Sequence, residues 1–135
     1  MSARVTATAR ALRVLIVEDC ADTAVTLRTM LAGWEFDSLV CTDERRAQEL
    51  AETYCPDVVL LDLALPWVHG YDVARRLRAS ARTGNPIIVA ITAWGQEADR
   101  QQSRAAGIDH HLVKPVAPNV LRLLLEEARE SRGLA

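Results

Sequence analysis

This chain predicts a single α/β domain built on a doubly wound, five-stranded parallel sheet, and three observations carry that prediction. Short apolar runs recur at 13–17, 35–40, 57–61, 87–91 and 111–113, and most of them suit strands buried on both faces, as helix-covered parallel sheets require. Segments with helical spacing separate the runs, and strand–helix–strand repetition with right-handed crossovers gives a doubly wound sheet. Polar residues then stand just past the carboxyl ends of successive runs, where open α/β sheets form ligand crevices. With 135 residues, half of them apolar, the chain can build one core and is too short for two ordinary domains.

Residues 1–11 show no packing period and are expected to be a flexible leader to a domain over 12–131, with 132–135 as a tail. Arg13–Val17 (RVLIV) is the first strand, β-branched and apolar. Cys20, Ala24, Leu27 and Leu31 then recur at helical spacing, and Gly33 offers a stop. Glu35–Val40 is a weaker second strand, followed by a helix over 43–54 that starts on an acidic turn. Asp57–Leu61 is a third strand, as apolar as the first, ending at Asp62. Those two matched strands belong in the middle of the sheet.

The segment 63–70 carries Pro66 and Gly70 and is expected to be a loop beside the site, with a helix following over 71–81. Thr83–Pro86 reads as a turn into the fourth strand, Ile87–Ile91, which ends at Thr92. A helix over 96–106 has few apolar anchors and is expected to be the most mobile, since local stability follows buried apolar contact. Gly107 ends it, His111–Val113 is a short fifth strand, and Pro118 opens a last helix whose stripe is Val120, Leu121, Leu124 and Ala128. Leu123 and Leu125, off that stripe, are candidate partner surface together with the polar fourth helix. Arg75, Arg76 and Arg78 are expected to form a solvated face.

Charge and composition exclude several functions. A net charge of −2 with scattered arginines gives no basic field for nucleic acid. No apolar stretch reaches the roughly 20 residues that span a bilayer, and residues 1–10 lack a signal-peptide core, so a cytoplasmic protein is expected. Cys20, Cys41 and Cys55 are odd in number with no CxxC spacing, which fits reduced thiols. The start of a helix could lower the Cys20 thiol pKa, but Glu18 and Asp19 push the other way. His69, His110 and His111 lack the further ligands of a metal site.

If the first and third strands are neighbours, Glu18, Asp19 and Asp62 come close together. Like charges so near cost free energy unless a cation neutralises them, and an all-oxygen set with few protein ligands suits Mg²⁺. Asp62, alone at the centre, is the candidate nucleophile, because a carboxylate can attack phosphorus to give an acyl phosphate. Phosphoryl transfer needs mainly positioning and charge neutralisation. Thr92, through its hydroxyl, and Lys114, through its ammonium, are the candidate phosphoryl contacts.

The stretches LIVED (15–19), VVLLDLALPWVHGYDVARRLR (58–78), IIVAITAWG (87–95) and AAGIDHHLVKPV (105–116) together resemble the receiver domain of two-component response regulators. The resemblance covers about residues 12–130 and extends to the receivers of hybrid histidine kinases. It implies a flavodoxin-like sheet in the order 2-1-3-4-5 with helices on both faces. By matching position, Asp62 is the implied phosphoacceptor, Glu18 and Asp19 the metal-binding acids, and Thr92 and Lys114 the phosphoryl contacts. The backbone carbonyl of Ala64 would complete the Mg²⁺ shell, and the Lys114–Pro115 bond is implied to be cis. A histidine kinase or histidine phosphotransfer protein is the implied donor, and the fourth helix, fifth strand and fifth helix are the implied switching face. Such a chain is a switch more than an enzyme. Its target would be a downstream protein or a second copy of itself.

Three positions stand apart from the family pattern. Where receivers carry an aromatic residue near the start of the fifth strand, this chain has His111, whose protonation could bias the switch near neutral pH; an ordinary surface histidine is the competing reading. Ala64 and Trp94, two residues beyond Asp62 and Thr92, form an apolar pair expected to organise attacking water poorly and prolong the acyl phosphate. Trp94 either shields the phosphoryl group or packs on the rim with Trp67. No output domain is expected after Val116, and the expectation is a single-domain regulator or a receiver excised from a hybrid kinase. An aspartyl phosphatase would need a second Asp at position 64, and a flavin protein would need a Ser/Thr/Gly-rich first loop. A receiver fold used only for binding, without phosphorylation, remains the alternative.

Overall fold

The computed structural model describes residues 10–63, 67–93 and 97–134, with the backbone alone at 67–69 and 97–100. Five strands, β1 Arg13–Val17, β2 Asp37–Cys41, β3 Val58–Leu63, β4 Ile87–Thr92 and β5 His110–Val113, pair in parallel in the order β2-β1-β3-β4-β5. The helices are α1 Ala21–Gly33, α2 Ala47–Tyr54, α3 Trp67–Ala79, α4 Glu97–Ala105 and α5 Pro118–Ser131. Strand order and the both-face burial of the central strands are as the sequence predicts.

Alternation within each strand builds two cores. Leu15, Val17, Val59, Leu61, Ile88 and Ala90 face a cluster that takes Ala47 and Ala51 from α2 and Val73, Ala74 and Leu77 from α3. Val14, Ile16, Val58, Leu60, Val89 and Ile91 face the opposite cluster, with Leu31 of α1 and Leu121, Leu125 and Ala128 of α5. Burying a large aliphatic side chain stabilises by about 1.5–3 kcal/mol, so both faces of these strands hold the sheet together.

Several expected boundaries shift, each for a local reason. The expected loop 63–70 is shorter: Leu63 belongs to β3, and α3 is already helical at Trp67. Gly70 is a packing residue within that helix, since a Cβ there would meet Leu63 Cδ2 at 2.1 Å. The second strand begins later than expected because Glu35 takes φ 66° in the turn before it. Asp43 caps a short 3₁₀ turn, Glu44–Arg46, by accepting from the Arg45 N–H, and α2 starts only at Ala47.

The α5 stripe is also rephased. Leu121 and Leu125 are wholly buried, whereas Val120 and Leu123 are exposed, so the inward face repeats as i, i+4, i+7 through Ala128. Leu125 is therefore core and unavailable to a partner. Cys20, expected on the helix stripe, precedes α1 and is exposed.

Arg78 does not lie on a solvated face. Its Nε donates to the Gly107 carbonyl at 2.9 Å and its Nη1 to Asn85 Oδ1 and the Pro86 carbonyl at 2.7 and 2.6 Å, while Nη2 pairs with Asp109. One guanidinium thus ties the end of α3 to the turns that enter β4 and β5, using the fixed fork of donors that lysine lacks.

Candidate functional site

The carboxyl edge of the sheet gathers the polar residues. Glu18 follows β1, with its N–H donating to the Cys41 carbonyl at 2.9 Å. Asp62 sits one residue before the end of β3, in register with Ile91, and Thr92 ends β4 between Leu63 and Val113. Lys114 follows β5, and its N–H donates to the Thr92 carbonyl at 2.8 Å. The Lys114–Pro115 peptide is cis.

Across this edge the Lys114 ammonium donates to Asp62 Oδ2 at 2.9 Å. The Asp62 side chain is 8 % exposed and that of Lys114 40 %, so the pair joins a buried acceptor to a donor that reaches solvent. Burial would lower the Lys114 pKa, but its bond to Asp62 and the charges of Asp62, Glu18 and Asp19 raise it on balance. Asp19 itself is exposed.

Among the described residues, Glu18 Oε2 and Asp62 Oδ1 are buried and lack a hydrogen-bond partner. Glu18 is pushed up to about 8, first by burial and then by its closeness to the Asp62 carboxylate, with Lys114 opposing. Buried carboxylate oxygens left unpaired are unfavourable, and a divalent cation relieves both the desolvation and the mutual repulsion. Among the described residues no three His, Cys, Asp or Glu side chains form a metal cage. An incomplete oxygen set of this kind fits Mg²⁺, which retains several waters, better than an ion enclosed by protein ligands.

The structure therefore brings Glu18, Asp62 and Lys114 together, with buried Thr92 and exposed Asp19 at the same edge. Ala64 and Trp94 lie outside the described residues, as do the side chains of Trp67 and His69. His111 is half-buried on β5, in register with Ala90. The Cys20 thiol pKa lies below its ordinary value, because the hydroxyl and N–H of Thr23 favour the thiolate and outweigh the opposing push of Glu18.

Sequence reasoning missed two features. Thr23, Thr26, Leu27 and Met30 of α1 wall a cavity that opens onto Glu18 and Asp62, and helical spacing alone could not separate that wall from the core. Tyr71 and Ser103 form a buried hydrogen bond between α3 and α4 at 3.2 Å. A serine set among the few small residues of a polar helix was the one available sign.

The model of the response regulator receiver domain matches residues 14–126. The DNA-binding response regulator MtrA of Mycobacterium tuberculosis is 38 % identical over 109 residues, which cover 81 % of this chain and 46 % of that protein. This chain thus spans about half the length of that relative. The receiver domain of the sensor histidine kinase PA1611 from Pseudomonas aeruginosa, with a magnesium ion coordinated in its active-site cleft, is 27 % identical with a TM-score of 0.78, covering 90 % of this chain and 99 % of that one. Chemotaxis protein CheY4 of Vibrio cholerae, at 23 % identity and a TM-score of 0.81 over 88 % of this chain and 99 % of that one, shares the fold. With the family model spanning nearly the whole sheet and the strand order agreeing, this chain belongs to the response regulator receiver domain family.

Proposed function

We propose that this receiver accepts a phosphoryl group from a phosphohistidine onto Asp62 and relays the change to the face formed by α4, β5 and α5. The observation that carries the reading is the Asp62 carboxylate itself: one oxygen is held by Lys114 at 2.9 Å, and the other is buried without a partner next to Glu18. In the transfer an Asp62 oxygen bonds to phosphorus as the P–N bond to the donor imidazole breaks. Lys114 then neutralises a phosphoryl oxygen, and the Thr92 hydroxyl accompanies another.

Glu18, Asp19 and Asp62, with the Ala64 carbonyl, would hold Mg²⁺, which supplies charge neutralisation for the transferring oxygens. The magnesium-bound PA1611 receiver supports this by analogy. The donor would be a histidine kinase or histidine phosphotransfer protein, and the chain is a signalling module that catalyses no turnover of its own. Exposed Val113, Val120 and Leu123 supply apolar surface on the output face for a target protein or a second copy. Although MtrA is a DNA-binding regulator, this chain matches less than half of it, and its charge of −2 gives no basic surface for DNA.

His111 would tune the switch, and His111→Ala should then abolish any pH dependence of activation near neutrality; an unchanged pH profile would remove it from the switch. The proposal as a whole is tested by amide NMR during titration with Mg²⁺ and then beryllofluoride, a phosphoryl mimic. Shifts that spread from Asp62 to α4 and β5, absent in Asp62→Asn, are expected. Silence in the wild-type protein would favour a receiver fold used for binding alone.

A further inference from the structure

One buried hydrogen bond joins the helix that follows the phosphoacceptor strand to the helix that follows Thr92. The Ser103 hydroxyl of α4 donates to the Tyr71 hydroxyl of α3 at 3.2 Å, with Ser103 wholly buried and Tyr71 6 % exposed. Each end is fixed to an element of the site. Tyr71 follows Gly70, whose missing side chain lets α3 press on Leu63, the residue after Asp62. The Ser103 carbonyl accepts from the N–H groups of Ala106 and Ile108 at 3.1 and 3.0 Å, in the turn that leads into β5 and so to Lys114.

Among the described side chains of α4, Gln101, Gln102, Arg104 and Ala105 are exposed and Ser103 alone is buried. Beside the bond the two helices part, leaving a groove of about 310 Å³ between Tyr71 and Arg75 on one side and Gln102 and Ala105 on the other. Ala106 and Ile108, just beyond the helix, are buried in the same core cluster as Tyr71 and pin its C-terminal end. An apolar contact in place of the bond would let α4 slide, because hydrophobic attraction has no direction. A hydroxyl pair does not. At 3.2 Å it is already long, and a further displacement of about half an ångström breaks it, leaving the Ser103 hydroxyl buried without that partner, which is unfavourable.

We propose that the Tyr71–Ser103 bond is a latch that holds α4 in its resting place and thereby opposes phosphorylation of Asp62. The inference rests on the receiver reading above. The Lys114–Asp62 bond at 2.9 Å marks the arrangement before transfer, since a phosphoryl group would draw Lys114 onto one of its own oxygens. The latch belongs to that arrangement and breaks when α4 moves, so its strength is subtracted from the affinity of the site for a phosphoryl group. Tyr71 and Ser103 are positioning residues, acting through α4 and not on phosphorus.

Calorimetric titration of the whole chain, first with Mg²⁺ and then with beryllofluoride, tests it in the wild-type protein, Ser103→Ala, Tyr71→Phe and the double variant. Each substitution deletes one oxygen and keeps the packing. Beryllofluoride affinity should rise about threefold to tenfold in each single variant, the equilibrium change that one net hydrogen bond supplies, while Mg²⁺ affinity stays unchanged. The double variant should match the singles, because the second hydroxyl has no latch left to lose. In both single variants the α4 and β5 amide resonances, before beryllofluoride is added, should sit part of the way from the wild-type positions to those of the beryllofluoride-bound wild type. A merely structural bond would lower thermal stability and move neither readout. Unchanged or weakened beryllofluoride binding in the variants, or gains that add in the double variant, would overturn the proposal and leave the receiver reading standing. Wild-type protein that binds no beryllofluoride would fail the receiver reading, and this inference with it.

Discussion

Lys114 Nζ lies 2.9 Å from Asp62 Oδ2, joining residues 52 apart in sequence across the ends of β5 and β3. The contact places the Lys114 ammonium on the carboxylate proposed to accept phosphate. Lys114→Met removes that donor and leaves the carboxylates in place. Mg²⁺ should bind no more weakly, since a competing positive charge is gone. Beryllofluoride should bind about tenfold or more weakly, the cost of one lost charge-assisted bond. Calorimetry with each ligand separates the two effects, and equal loss of both would argue against a specific phosphoryl contact.

Glu18 links the site to stability. Its folded pKa is raised from 4.5 to about 8, so its contribution is fully present below 4.5 and is lost as pH rises through about 8. Metal-free protein should therefore lose stability across that window, and Mg²⁺ should restore it on the alkaline side. Glu18→Gln should stabilise the metal-free protein near pH 9 by about 1–3 kcal/mol, the cost of an unsatisfied buried group. Near pH 5 the change should be small. Urea melts at both pH values, with and without Mg²⁺, check this, and a variant less stable than wild type near pH 9 would contradict it.

At the opposite end of the sheet, Arg10 forms two bonds to the buried Asp57, at 2.8 and 3.0 Å, and the Arg13 N–H adds a third at 2.9 Å. Burial would raise the Asp57 pKa, but these donors and the Arg10 charge bring it below its ordinary value of 3.8. A depressed carboxylate stabilises the fold above that unfolded value and loses the contribution as pH falls through the folded one. Arg10→Ala should cost about 1–3 kcal/mol near neutral pH by leaving Asp57 under-satisfied. Acid unfolding followed by circular dichroism should also begin at higher pH in the variant. An unchanged acid transition would show that the Arg13 N–H suffices.

Gly107 takes φ +97°, and a Cβ there would lie 2.5 Å from Arg78 Cγ. Gly107→Ala therefore combines a left-handed backbone with displacement of the guanidinium that ties α3 to the turns before β4 and β5. The expected cost is about 1–3 kcal/mol, seen as a fall of several degrees in thermal midpoint. Gly84 has φ +79° with nothing within 4 Å of its Cβ position, so Gly84→Ala should cost less. Equal losses would mean that the contact with Arg78 adds nothing.

The sheet was legible because β1, β3 and β4 are continuous apolar runs whose alternate residues serve two cores, a pattern helices cannot share. Asp62, Thr92 and Lys114 were legible for the same reason, as polar residues marking where such runs stop. Strand order came from family resemblance, since pairing partners leave no local signal. Gly70 misleads because glycine signals a break by default, whereas here it allows α3 to approach Leu63. The α5 stripe is ambiguous in sequence because Val120, Leu121, Leu123, Leu124 and Leu125 offer competing apolar phases. Only packing on the sheet selects Leu121 and Leu125. The fourfold bonding of Arg78 depends on turns distant in sequence, so arginine content alone suggests a solvated face.

The most direct test of the phosphoacceptor assignment is intact-mass measurement of the chain after incubation with acetyl phosphate and Mg²⁺, followed by peptide mapping. One added phosphoryl group, on the peptide containing Asp62 and absent in Asp62→Asn or without Mg²⁺, is the predicted result. An unmodified chain that still binds Mg²⁺, or a phosphoryl group on another residue, would contradict it.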